Sequence, residues 1–239
     1  MSAAGSEQVR RPSRLLLAAE APRALGELVL LQAARPLLAG APRGDGHPVL
    51  VLPGLGADDR STIPLRRFLR GRGYRVHGWG LGINVPSPET IDRLRRRVAD
   101  LRSQDPRPMS IVGWSLGGIY ARGIARRAPD AVRAVVTLGS PFRSAPPGED
   151  GPVPVPSTSV FSRSDGVVPW RACVDTATGP HETIEVLGSH VGLGHHPAVL
   201  YVVADRLAQA QGTWRRMRIP APWRALLRHH TPDLAGAPA

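Results

Sequence analysis

Between residues 47 and 211, short runs of β-branched and aliphatic residues alternate with longer stretches in which apolar side chains recur every three or four positions. The first pattern suits strands buried on both faces, the second amphipathic helices. Their alternation predicts βαβ units around a mainly parallel, twisted sheet with helices on both faces. Strands are expected at 47–52, 74–79, 110–113, 134–138, 159–161 and 183–187. Helices are expected from a cap at Ser61 or Thr62 to about Arg72, over 88–103, from beyond Ser115 to about Ala128, and from near Pro197 to about Gln211. In the second of these, Ile91, Leu94, Val98 and Leu101 share one face and arginines occupy the other. Residues 143–156 are rich in proline and glycine and read as loop.

Two flanks frame this core of residues 47–211. Residues 1–46 contain a mostly apolar stretch, 15–38, interrupted by Glu20, Arg23, Glu27 and Arg35. It reads as an amphipathic helical segment broken near Pro22 and not as a membrane span, which needs about 20 consecutive, predominantly apolar residues. The same interior charges, with no small-residue cleavage pattern, argue against an export signal behind Arg10 and Arg11. Residues 212–239 form a basic, proline-interrupted tail without an evident partner, its end expected to be mobile.

Composition narrows the function classes. A chain of 239 residues with 42% hydrophobic side chains can bury one substantial core. The formal charge is +12 and comes entirely from arginine, lysine being absent. That one-sidedness resembles the coding bias of a GC-rich genome. A basic surface attracts nucleic acid or anionic lipid. The arginines are scattered, however, and no zinc knuckle, aromatic ribonucleoprotein stripe or helix-turn-helix accompanies them, so nucleic acid is not an expected partner. Peripheral attachment to a membrane through the N-terminal segment and tail remains open. Cys173 is the sole cysteine. It excludes an internal disulfide and a multi-cysteine zinc site and favours a reducing, cytoplasmic setting; no metal or cofactor is expected.

Gly113-Trp114-Ser115-Leu116-Gly117 matches Gly-x-Ser-x-Gly. With 26 glycines in the chain, chance alone yields such a match in roughly one of six shuffled sequences, so context must carry the weight. Here the motif follows a strand pattern directly and precedes a helical one. A nucleophile elbow needs that arrangement, because a strained turn lifts the hydroxyl out of the sheet and the flanking glycines let neighbouring backbone approach. The helix beyond adds the positive end of its dipole. A serine hydroxyl also requires a base and an orienting carboxylate. Asp165 stands at a strand end that turns on Gly166, whereas Asp150 sits in the proline-rich loop and Asp175 well past the strand. His190 follows the 183–187 strand, with His195 and His196 as alternatives at the start of the closing helix. Main-chain donors for a developing oxyanion are expected at Leu116, after the serine, and at Leu55 in the Pro53-Gly54-Leu55-Gly56 turn.

Taken together, Pro53-Gly54-Leu55-Gly56, Gly113-Trp114-Ser115-Leu116-Gly117-Gly118, Gly139-Ser140-Pro141, Ser164-Asp165-Gly166-Val167-Val168-Pro169 and Ser189-His190-Val191-Gly192-Leu193-Gly194 resemble the α/β-hydrolase superfamily, and within it the small bacterial lipases and esterases. The resemblance covers about 48–211 and implies the chain order serine, acid, histidine along one sheet edge. It differs in two places. Pro53 stands where many relatives carry a histidine, and the short segment between Phe142 and Ser157 replaces a helical lid, implying a shallow site without a large cap domain. Trp114 and Trp79 flank the expected cleft as candidate acyl contacts, Asn84 is a turn residue or a polar neighbour of the site, and Asp58 and Asp59 are expected to cap the following helix. The implied activity is carboxylic ester hydrolysis on lipid or short-to-medium acyl esters. Thioester hydrolysis or acyl transfer by the same triad is the alternative, and a non-catalytic or membrane-peripheral binding protein is the alternative of another class.

Overall fold

In the computed structural model, residues 11–146, 149 and 151–230 are described. The apolar runs form strands β1 (Pro48–Leu52), β2 (Arg75–Gly78), β3 (Met109–Trp114), β4 (Val132–Leu138), β5 (Ser157–Phe161) and β6 (His181–Val186), joined by β7 (Leu227–His230). They make one seven-stranded sheet in the order β2-β1-β3-β4-β5-β6-β7. The pairings β1–β2, β1–β3, β3–β4, β4–β5 and β5–β6 are parallel, and β7 runs antiparallel to β6.

Alternation along β1 divides the core into two layers. Val49 and Val51 face one, with Val112, Val136 and Val160 beneath the helices α4 (Ile63–Gly71) and α7 (Pro197–Leu207). Leu50 and Leu52 face the other, with Ile111 and Val135 beneath α5 (Thr90–Gln104) and α6 (Leu116–Arg127). Every residue of β1 is buried, as a central strand covered on both sides must be. Helices on both faces of a mostly parallel sheet therefore stand where the sequence pattern placed them. No helix among the described residues is long and apolar enough to cross a membrane.

The flanks differ from expectation. The N-terminal segment forms α1 (Arg14–Ala18), α2 (Glu20–Ala33) and α3 (Arg35–Ala39). Its breaks fall at Ala34 and at Ala19, three residues before Pro22, which sits in the first turn of α2 where a missing N–H costs nothing. Part of the basic tail is structural: Met217, Trp223 and Leu227 are buried in the layer beneath α7, and β7 pairs with β6 through Val186 and Leu227. The expected mobile end, 231–239, lies outside the described residues, as do Arg10 and Asp150.

Candidate active site

The strands β3, β5 and β6 run parallel, so their carboxyl ends share one rim of the sheet, with β4 between the first two. Ser115 stands between the last residue of β3 and the first of α6. Its backbone has φ 52° and ψ −120°, and it is the one non-glycine residue with positive φ among the described residues. Such a conformation costs on the order of 1–3 kcal/mol and persists only where its surroundings enforce it. Here the Ser115 amide donates to Leu138 O at 2.8 Å, tying the turn to the end of β4. A methyl group on Gly117 would lie 2.6 Å from the carbonyl oxygens of Leu52 and Pro53, and one on Gly113 would collide with the Gly117–Gly118 backbone. The motif's glycines are thus demanded by backbone packing around the turn.

Asp165 and His190 lie four residues beyond the ends of β5 and β6, and both are buried. His190 Nδ1 is 2.6 Å from Asp165 Oδ2. The other oxygen, Oδ1, accepts the amides of Val167 (2.8 Å) and Val168 (2.6 Å), a turn that fixes the carboxylate in one orientation. A carboxylate only accepts, so this contact sets the proton on Nδ1 and leaves Nε2 of His190 as the acceptor. Ser162 and Ser164 hydroxyls both donate to Gly188 O, stitching the loop of Asp165 to the loop of His190. Gly139, one residue past Leu138, carries φ 54°, and a methyl group there would sit 3.0 Å from His190 Nδ1. The imidazole and the Ser115 turn accordingly flank the same two residues at the end of β4.

The turn after β1 faces the elbow: a methyl group on Gly54 would lie 3.3 Å from Ser115 Cβ. Among the described residues the amides of Leu55 and Leu116 donate to no protein group. Asn84, fully buried, braces this turn by donating Nδ2 to Pro53 O at 2.8 Å, while its main-chain carbonyl accepts from the Gly56 amide.

Several other candidates find different roles. Trp114 donates its ring N–H to His190 O (3.2 Å), which holds the loop of His190. Trp79 does not flank a cleft. It is 2% exposed among Leu50, Leu94 and Ile111, with its indole N–H on Gly82 O, so no face remains for an acyl chain. Asp59 does not cap α4 through its carboxylate, which instead accepts the amides of Trp79 and Gly80; Asp58 accepts the amide of Arg60. Asp175 pairs with Arg122 at 2.7 Å in the interior. Burial alone would raise its pKa, but His181 and Arg122 hold the carboxyl well below the usual range. His47 is taken up by Asp45 and Ser110 at the opposite end of the sheet. His195 contacts Ala24 O, and His196 caps α7 by accepting the Ala198 amide. Burial pushes the His196 pKa down to about 4.

Sequence reasoning missed the acidic residues of α2. Glu20 accepts the amides of Gly166 (2.8 Å) and Val191 (2.9 Å), and Glu27 accepts the amide and hydroxyl of Ser189 (2.6 and 2.7 Å). Their spacing of seven on one helix face was the available signal.

No family model matches the chain. Over 107 residues it is 32% identical to a pimeloyl-[acyl-carrier protein] methyl ester esterase of Aliivibrio salmonicida, covering 43% of this chain and 39% of that protein. Over 100 residues it is 34% identical to the protein of the same name from Shewanella woodyi, covering 41% and 37%. The chain thus spans about two-fifths of the length of these curated relatives. Among solved structures it resembles a CIB-like hydrolase of Thermoplasma acidophilum (TM-score 0.54, 16% identity, 68% of this chain and 86% of that one). It also resembles an α/β serine hydrolase without lid from Xanthomonas campestris (TM-score 0.52, 17% identity, 70% and 83%). Sheet order, crossover helices and these likenesses agree that the chain has the α/β-hydrolase fold, with no lid domain among the described residues.

Proposed function

We propose that this protein is a carboxylic ester hydrolase of the lipase and esterase type, with Ser115 as nucleophile, His190 as base and Asp165 as the carboxylate that orients it. The observation that carries the reading is the 2.6 Å contact between His190 and Asp165, set beside a serine held in a strained strand-to-helix turn. The relatives from Aliivibrio and Shewanella, named as methyl ester esterases, support the same reaction class.

In this mechanism Ser115 Oγ attacks the ester carbonyl carbon as Nε2 of His190 takes its proton. The resulting imidazolium is stabilised by Asp165 through Nδ1. The free amides of Leu55 and Leu116 receive the oxyanion, and loss of one such donor typically costs about 2.7–4 kcal/mol of transition-state stabilisation. His190 then protonates the leaving alkoxide, and water, activated by the same imidazole, releases the acid from the acyl-enzyme. A cleft of about 720 Å³ opens beside Leu116, its wall formed by Ile91, Ile119 and Tyr120 with Asp92, Arg127 and Glu149 also lining it, and offers a place for the acyl chain against the apolar side. That volume lies in the range of clefts that take small molecules.

The test is turnover of p-nitrophenyl esters across a chain-length series, with fluorophosphonate labelling followed by peptide mapping. Ser115→Ala is expected to abolish both turnover and labelling while the protein stays folded. Label found on another serine, or full activity in the alanine variant, overturns the assignment.

A cytoplasmic setting is supported by the single buried thiol of Cys173, and contact with a membrane surface by the exposed Leu15, Leu17, Leu25 and Val29 on a chain of charge +12. Cosedimentation with anionic vesicles at low and high salt reads out the second point; protein that stays in the supernatant at both refutes it.

A further inference from the structure

Amphipathic helices ordinarily turn apolar residues inward. On α2 the inward stripe is instead Glu20, Arg23, Ala24 and Glu27, spaced i, i+3, i+4, i+7, and Glu20 and Glu27 are both buried. Buried carboxylates are costly unless fully hydrogen-bonded, so the donors they meet show what they are for. Glu20 spans two loops: Oε1 accepts from Gly166, next to Asp165, and Oε2 accepts from Val191, next to His190. Glu27 holds Ser189, on the other side of His190, through its amide and its hydroxyl. Arg23 completes the set by donating to Ser164 O (2.7 Å) and Ser164 Oγ (2.8 Å), on the other side of Asp165. Both neighbours of the acid and both neighbours of the base are therefore gripped by three side chains of a single helical face.

The loops are shaped to receive this grip. A methyl group on Gly166 would run into the backbone of Leu16 and Leu17, and one on Gly192 would occupy the position of the Glu27 carboxylate. A methyl group on Gly188 would lie 3.4 Å from Glu27 Oε1. Glycine at 166 and 192 is thus required by what the N-terminal segment places there and not by the local turn, since neither has positive φ.

We infer that Glu20 and Glu27 are positioning residues, which hold the acid loop and the base loop in mutual register so that His190 meets Asp165. The inference rests on the triad proposed above. Neither carboxylate touches the reacting atoms; each acts through backbone amides on the loops that carry Asp165 and His190. A displacement near 1 Å between catalytic groups costs about 10²-fold in rate. Glu20→Ala combined with Glu27→Ala is therefore expected to lower kcat by about that factor with little change in KM. Glu20→Gln keeps one amide satisfied and opposes its NH2 to the other, so its loss is expected to fall between wild type and Glu20→Ala.

The test measures kcat and KM on a p-nitrophenyl ester, Tm, and the far-downfield proton resonance of the His190–Asp165 hydrogen bond. Val132→Ala, at the far end of β4, serves as a control that lowers stability without approaching the rim. The expected result is a graded fall in kcat through Glu20→Gln and Glu20→Ala, with the downfield resonance broadened or lost, and neither change in the control. Should the double variant not fold, the two single glutamine variants give the same comparison. Wild-type kcat and an unchanged resonance in folded Glu20 and Glu27 variants overturn the inference, as does a loss matched by the control at equal Tm. If labelling maps away from Ser115, the triad itself has failed, a result separate from retained activity in the α2 variants.

Discussion

Replacing Asp165 by asparagine changes one atom and tests the proposed chemistry sharply. The wild-type carboxylate uses Oδ1 for the amides of Val167 and Val168 and Oδ2 for His190 Nδ1. An asparagine must choose. If its carbonyl oxygen stays with the two amides, its NH2 faces Nδ1, which must then be an acceptor, and the ring proton moves to Nε2 where the serine proton has to go. If the amide flips, the productive tautomer returns, but an NH2 now opposes two N–H donors that lie 2.8 and 2.6 Å away. Leaving a buried donor unsatisfied costs about 1–3 kcal/mol, so two cost roughly 2–6 kcal/mol against the productive form. That corresponds to a fall in kcat/KM of roughly 30- to 10⁴-fold, one decade per 1.36 kcal/mol. The side chain keeps its shape, so Tm should move little. The assay is kcat/KM on a p-nitrophenyl ester with circular dichroism as the fold control. A folded Asp165→Asn protein within about threefold of wild type refutes the role of Asp165.

Arg122 and Asp175 form a buried pair, with the guanidinium also stacked over Phe142 at 4.0 Å. Arg122→Met removes the charge partner of the buried carboxylate, leaving it His181 and the Ala177 amide, and is expected to cost about 3–5 kcal/mol, a Tm drop of roughly 6–20 °C, part of which returns in Arg122→Met with Asp175→Leu. An unchanged Tm in the single variant contradicts the pairing. His196 caps α7 in its neutral form, and its pKa is pushed down to about 4 in the folded protein from an ordinary value near 6.5. Between those values the unfolded chain takes up a proton that the folded chain refuses. Its contribution is thus intact above pH 6.5 and is lost as pH falls toward 4, on the order of 3 kcal/mol in all. Urea unfolding across that window should show a shallower slope in His196→Asn, which caps without titrating; parallel slopes would count against the assignment.

The fold was legible because burial on both faces makes parallel strands continuous apolar runs, and each run in the sequence marks an observed strand. Where polar side chains enter the core the pattern loses the element's edge. Ser157 and Thr158 open β5 fully buried, yet the apolar pattern begins the strand at Ser159. β7 escaped altogether: of Leu227–His230 only Leu227 is buried, so an edge strand with one inward residue leaves no period to detect. The contact between Asp165 and His190 was legible as two strand ends followed by glycine, a local feature that Asp175, His195 and His196 lack. The withdrawal of Trp79 into the core was not, since it depends on Gly82 O receiving the indole N–H.

The N-terminal segment shows why a hydrophobic stripe is an incomplete guide to which side of a helix faces in. Its charges marked it as amphipathic, yet Glu20 and Glu27 are buried while Leu15, Leu25 and Val29 are more than half exposed. What a helix buries depends on the surface it meets. Most helices meet side chains. α2 meets the loops that carry Asp165 and His190, whose outward backbone amides, at Gly166, Ser189 and Val191, have no strand partner and would otherwise need water. Acceptors, not methyl groups, stabilise such a surface, and carboxylates at a spacing of seven supply them in register. Only toward its C-terminal end, where Leu31 packs against the core beneath α7, does α2 turn a large apolar side chain inward, and Leu25 and Val29 are left outside.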